Sequence, residues 1–284
     1  LARLGLGCVG LVVVIVLCGV GYFVSLPGVT GAEAKVAEIL KAHHGKLGRP
    51  PAPSRLSQAV VAVEDENFYS NAVVDVVDGI GRAALASFQA NGDPGGSTID
   101  QQLAKQLYGQ GTGLLGQLNE LGLGVKLSLT YSHARILAMY LNAVYYGNHY
   151  WGDVAASRGY FGLSPGRLSW SQAAMLAGLP QAPSAYDPLL HFDLAKQRQL
   201  HVLNQLVANH YLTPAQAKIA YSQPLRLRPR AGAALASPRA AAGRLAKVID
   251  PDTGTVAERD VAVRVVAGCG QANDGIRSAR CCGG

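Results

Sequence analysis

Between Arg3 and Glu33 the chain carries no charged side chain, and Leu4–Leu26 reads LGLGCVGLVVVIVLCGVGYFVSL. As a helix this run spans about 34 Å at 1.5 Å per residue, enough to cross a bilayer's hydrocarbon core. A helix that is apolar on every face has no place on the surface of a water-exposed domain. A cleaved leader has a shorter apolar stretch, and Ser25-Leu26-Pro27-Gly28 makes a poor cleavage site. The sequence therefore predicts one transmembrane helix over 1–26. Arg3 is the flanking charge that places the N-terminus inside and the body outside.

The net charge of +7 suggests a polyanion partner until it is located. Ten Lys/Arg and five Asp/Glu fall between Arg226 and Gly284, so that stretch alone carries +5 and the remainder only +2. No basic stripe runs along a predicted helix, which argues against nucleic acid as a partner. The five cysteines lie at the ends, Cys8 and Cys18 in the apolar run and Cys269, Cys281 and Cys282 near the C-terminus. The body between them has no thiol, which excludes a cysteine nucleophile and a Cys-type zinc site there and suits an extracytoplasmic bacterial domain.

Four segments separate. After the anchor, 27–53 forms a juxtamembrane stretch with a helix expected from Ala32 to His43. From 54 to 227 the chain is a run of helical patterns with readable starts. Ser54 precedes Leu56, Val60 and Val63 at helical spacing, and Ser97 with Asp100 resembles a capping box. Ser132 opens a helix carrying Ile136, Leu137, Tyr140 and Leu141. Ser169 with Gln172 is a capping-box pattern, and Thr213-Pro214 supplies a cap and an N1 proline. Strand signals are scarce, so the body is expected to be mostly α. Residues 228–284, rich in Ala, Gly and Arg, lack sustained periodicity and are expected to be an irregular, disordered tail.

No phosphate-cradling or dinucleotide loop occurs in the body. Asp250-Pro251-Asp252 beside Thr253-Gly254 reads as a turn, and His43-His44 has no partners at metal spacing. Three clusters carry more chemistry. Glu64-Asp65-Glu66 closes an apolar helix; a solvated acidic end explains it, although carboxylates there oppose the helix dipole. Gly95-Gly96-Ser97-Thr98 leads into a helix with Gln101 and Lys105 one turn apart on one face. A helix N-terminus with a nearby lysine favours a phosphorylated ligand, although Ser97 alone reads as a cap. Glu120 stands as a single acid in an apolar, Gly-containing stretch.

These clusters, in order, resemble the motifs of the peptidoglycan glycosyltransferase family (glycosyltransferase family 51), the polymerase module of class A penicillin-binding proteins and of monofunctional transglycosylases. Glu64-Asp65 with Phe68 matches the first motif. Gly95 through Lys105 matches the second, with Asp100 where Thr is usual, and Glu120 falls at the acid of the third. Tyr140 through Asn148, with Ala155-Ala156 and Tyr160-Phe161-Gly162, matches the fourth; Ala173 through Pro188 matches the fifth. The resemblance implies a lysozyme-like, two-lobed α fold. It implies lipid II and a growing lipid-linked glycan strand as substrates, the bacterial cytoplasmic membrane as the location, and other cell-wall synthesis proteins as further partners. It also implies that Glu64 is the general base and Glu120 a second catalytic acid near the leaving pyrophosphate, with a divalent cation, Mg or Mn, as the cofactor to consider. Asp65, Phe68, Gly96, Ser97, Thr98, Gln101, Gln102, Lys105 and Asn142 are implied as substrate-binding residues.

Three departures bear on activity. Asn71 and Val73 stand where the first motif has His and Gly, and Gly116 and Gln117 stand where the third has Arg-Lys. No Lys or Arg occurs between Lys105 and Lys126. The alternative to a polymerase is therefore an impaired homologue that binds lipid II as a cell-wall assembly module. A hydrolase on the same fold is disfavoured by the Gly95–Lys105 element, and no transpeptidase Ser-x-x-Lys motif occurs.

Overall fold

The structure, a computed structural model, describes residues 2–48, 53–69, 98–109, 111 and 113–228. By internal contacts the chain divides into Leu1–Gly243 and Arg244–Gly284; the second unit, and with it nearly all of the expected tail, lies outside the described residues. Ten α-helices are described: α1 (Ala2–Ser25), α2 (Ala32–Ala42), α3 (Arg55–Glu64), α4 (Ile99–Tyr108), α5 (Gly113–Thr130), α6 (His133–Ala143), α7 (Asp153–Phe161), α8 (Trp170–Ala177), α9 (Phe192–Ala208) and α10 (Pro214–Ser222). A 3₁₀ turn spans Pro165–Arg167. Among the described residues the nearest thing to a sheet is one antiparallel bridge between Tyr145 and Trp151.

The local starts follow from side chains that satisfy helix N-termini. Ser54 and Ser57 form a reciprocal box at α3, Ser169 and Gln172 at α8, and Thr213 and Gln216 at α10. At α4 the start differs from the Ser97–Asp100 reading. Thr98 is the cap, accepting from the Gln101 N–H. Asp100 instead is buried and accepts a bond of 2.7 Å from the Ser128 hydroxyl of α5.

Two groups of helices make the core. In one, α3 packs on α8 and α9, and α10 on α9; in the other, α4 packs on α5 and α6. Helix α6 is the central element, buried continuously from Ile136 to Ala143. Close approach of α4 and α5 depends on Gly124, where a Cβ would come within 3.2 Å of the Gln101 backbone nitrogen. The segment expected as juxtamembrane joins this core: α2 buries Ala32, Val36 and Leu40 and packs on α6.

The expected anchor is helical as α1, whose described side chains are Gly10 and 13–25. Among the described residues no helix is long and apolar enough to cross a membrane. Val14, Val16, Leu17 and Val24 of α1 are all exposed. The end of α1 is fastened to α5. Tyr22 donates to Asn119 at 2.5 Å, Lys126 donates to the Leu26 carbonyl at 2.5 Å, and the Lys126 ammonium lies 5.2 Å from the Phe23 ring centroid. The Tyr131 hydroxyl then holds the Val29 and Thr30 carbonyls.

At the start of α7, Asp153 is buried and its Oδ1 has no hydrogen-bond partner. Burial pushes this carboxyl up from 3.8 to about 6. The folded state thus holds a proton that the unfolded state releases, so stability falls as pH rises from 3.8 through about 6. Asp153→Asn should flatten the stability profile across that window and stabilise the protein at neutral pH, by up to about 3 kcal/mol. Urea midpoints measured at intervals across this range test it; parallel profiles for parent and variant would contradict it.

Candidate active site

Glu64 is the last residue of α3, and its side chain turns inward, 10% exposed. Its two oxygens are in different states. Oε2 accepts from the Gln102 amide of α4 at 2.8 Å. The Gln102 carbonyl oxygen accepts in turn from the Tyr140 hydroxyl of α6 at 2.9 Å, which fixes which end of the amide faces the carboxylate. Oε1 has no hydrogen-bond partner among the described residues, and the Arg198 guanidinium of α9 stands 3.9 Å from it. Burial raises the proton affinity of Glu64, while Gln102 and then Arg198 work against that rise. A carboxylate with one oxygen oriented, the other buried without a hydrogen bond, and a raised proton affinity has the chemistry to accept a proton.

Asp65 serves the fold. Its Oδ2 accepts the Ile99 N–H at 3.1 Å, tying the end of α3 to the first turn of α4. One turn beyond Gln102 on α4, Lys105 is 67% exposed and pairs at 3.9 Å with Glu120 of α5, which is 18% exposed. Gln101 lies one turn before Lys105 and is half-buried. Gly116 of α5 is buried and Gln117 exposed, so neither brings a cation to this side.

Three expected substrate contacts have other surroundings. Phe68 is fully buried, edge-on to Tyr69 and His133 with centroids 5.0 and 5.2 Å away; a side chain with no exposure belongs to the core. Asn142 is buried and committed on both sides, accepting from Gly48 N–H at 2.6 Å and donating to the Ala138 carbonyl at 2.7 Å. Thr98 is buried as the α4 cap. Gly96, Ser97, Asn71 and Val73 lie outside the described residues.

Sequence reasoning missed Arg198 and the orienting role of Tyr140. Tyr140 lay inside a motif already quoted but read as one apolar face of a helix. Arg198 sits in Lys196-Gln197-Arg198-Gln199, which looks like a solvated surface; nothing local marks it.

The transglycosylase family model matches residues 35–207. The chain belongs to the transglycosylase family. Among curated relatives it is 38% identical over 178 residues to penicillin-binding protein 1A of Aquifex aeolicus (strain VF5), covering 62% of this chain and 24% of that protein. It is 43% identical over 164 residues to penicillin-binding protein 2a of Streptococcus pneumoniae (strain D39), covering 57% and 22%. The chain thus spans about a quarter of the length of the curated relatives it matches. A solved structure of penicillin-binding protein 1A from Haemophilus influenzae aligns at 31% identity over 36% of this chain and 15% of that one, with a TM-score of 0.34, too low to argue the fold from.

Among the described residues no group of three or more His, Cys, Asp and Glu could hold a metal ion. Glu120 would offer a cation one carboxylate that already faces Lys105.

The Tyr140–Gln102–Glu64 chain should behave as a unit. Tyr140→Phe and Gln102→Leu each leave a buried polar partner unsatisfied, a loss of about 1–3 kcal/mol. Together they should cost less than their sum. A double-mutant cycle on denaturant midpoints measures this coupling, and strict additivity would show that the three groups act independently.

Proposed function

We propose that this chain polymerises lipid II into β-1,4-linked glycan strands with inversion, releasing undecaprenyl pyrophosphate. The observation that carries the reading is the asymmetric Glu64 carboxylate, with Oε2 held by Gln102 and Oε1 buried without a hydrogen bond among the described residues. Oε1 takes the proton of the acceptor sugar's 4-hydroxyl as that oxygen attacks the anomeric carbon. Attack comes from the face opposite the pyrophosphate, whose C–O bond breaks with the electron pair leaving on phosphate oxygen. A positioned carboxylate base is worth about 10²–10⁴ in rate. The leaving group needs positive charge or N–H donors, which usually form the largest catalytic contribution. The exposed Lys105 ammonium, Gln101 and the Gly96–Thr98 approach to α4 are the groups assigned to it, with Glu120 beside them setting the position of Lys105.

In this reading the two helix groups are the lobes of a lysozyme-like domain, and the cleft runs between Glu64 and Lys105. The exposed apolar face of α1 continues the uncharged Leu4–Leu26 run and supports a single-pass anchor with the domain on the extracytoplasmic side. A lipid-linked substrate makes such an anchor useful, since enzyme and substrate share one surface. A second reading, in which the chain binds lipid II without polymerising it, is favoured by one observation: Gly116 and Gln117 supply no cation, and Lys105 is shared with Glu120.

Labelled lipid II incubated with the detergent-solubilised chain, followed by separation of polymer from monomer, decides between them. Polymer should form, and Glu64→Gln should cut it by at least about 10²-fold while lipid II still binds. Lys105→Ala should weaken lipid II binding as well as turnover. Binding without polymer by the parent would favour the second reading, and restoring Arg and Lys at Gly116 and Gln117 should then recover activity.

A further inference from the structure

Arg198 is buried almost as deeply as Glu64, at 12% against 10% exposure. Its surroundings are built to keep it in place. Its Nε donates to the Gly178 carbonyl at 3.3 Å, and its guanidinium lies 6.0 Å from the Tyr186 ring centroid. Gly178 provides the room, because a Cβ there would come within 2.7 Å of Arg198 Cγ. Arginine–carboxylate pairs ordinarily close to about 2.7–2.9 Å. Here the guanidinium stops at 3.9 Å and Oε1 keeps no hydrogen bond. A hydrogen bond is lost at that distance, but Coulomb attraction falls only as the inverse of separation and persists.

We propose that Arg198 is a positioning residue for the base, helping Gln102 to hold Glu64 ionised while leaving Oε1 without a hydrogen bond, so that its lone pair stays free for the acceptor's proton. This rests on the reading of Glu64 as the base. A direct hydrogen bond from Arg198 would occupy the oxygen that must react, and no cation at all would leave a buried carboxyl holding its proton. After the transfer, neutral Glu64 faces a cation, which favours release of the proton to solvent and readies the site for the next sugar.

The other groups facing Glu64 do not substitute for Arg198. The phenols of Tyr140 and Tyr146 are kept protonated by burial, with Glu64 itself adding to that. Asp65 is turned to the Ile99 N–H, and Gln102 is neutral. Helix α8, packed on α3, carries no titratable side chain. On α9, Lys196 points instead to Gln199 and the Tyr221 carbonyl, Asp193 acts on Tyr221, and His201 follows Arg198 by one turn. Burial raises the proton affinity of Glu64 and lowers that of Arg198; the Gln102 hydrogen bond and then the Arg198 charge oppose the first change, and attraction to Glu64 opposes the second.

The test follows lipid II polymerisation by the full chain across pH. It is paired with infrared titration of the Glu64 carboxyl, isolated by subtracting the matching Glu64→Gln protein. Arg198→Gln should move the carboxyl midpoint, and the acidic limb of the rate profile with it, upward by about 1–3 pH units. Rate should recover at high pH. Arg198→Lys keeps the charge and loses the guanidinium fork, so both curves should stay near the parent's. If Arg198→Gln fails to fold, Arg198→Lys alone decides: an acidic limb displaced by more than about one pH unit would mean that the fork, not the charge, matters. An unmoved midpoint in Arg198→Gln overturns the inference. A midpoint that moves while the acidic limb of the rate does not would overturn instead the assignment of Glu64 as the base.

Discussion

A carboxylate removed from water must be partnered or it takes up a proton, and the partnering of Glu64 organises this structure. Its bond to Gln102 runs from α3, which packs with α8 and α9, to α4, which packs with α5 and α6. The next residue, Asp65, reaches the same helix through the Ile99 N–H. Two consecutive acids at the end of α3 thus hold the start of α4 by its backbone and its second turn by a side chain. The unfavourable placement of acids at a helix C-terminus is offset by donors from another helix, so the dipole conflict visible in the sequence is resolved in tertiary space.

The same contact sets the chemistry. Gln102 can present its N–H to Glu64 because Tyr140 occupies its oxygen, and Tyr140 is fixed because α6 is buried throughout its middle and end. Orientation of the reacting group is therefore inherited from the core. The cost is visible nearby. Glu64 Oε1, Tyr146 Oη, Asp153 Oδ1 and Ser157 Oγ are buried without hydrogen bonds among the described residues. Such groups destabilise a fold by about 1–3 kcal/mol each.

Helix α5 joins α1 to the surroundings of Lys105. It carries Glu120 toward Lys105 and, one residue earlier, Asn119 toward Tyr22 of α1. Lys126 and Tyr131, on and just after the same helix, hold the chain as it leaves α1. The end of α1 is thus fastened to the same helix that carries the acid facing Lys105.

Much of this was legible because it is local. Ser54, Ser169 and Thr213 start helices through bonds that close within three residues, so composition and spacing suffice. The order of the acids, Gln102 and Lys105 likewise pointed to the family. Other features were not legible, and for one reason. Ser97 and Thr98 are equally able to cap, and only the packed structure shows Thr98 accepting from the Gln101 N–H. Phe68 and Asn142 lie in motif positions, but a motif does not say how deeply a side chain is buried. The helix expected in the juxtamembrane stretch is present as α2, but only packing shows that Val36 and Leu40 enter the interior. Arg198, written among polar residues, became the counter-charge of Glu64 because α9 packs on α3. The sequence by itself determined helices, caps and the inventory of reactive groups, since these depend on neighbours a few residues apart. Which of those groups meet, which oxygen of Glu64 stays open and which polar side chains are withdrawn from water were decided by the tertiary structure, because burial and distance between remote residues exist only once the helices have packed.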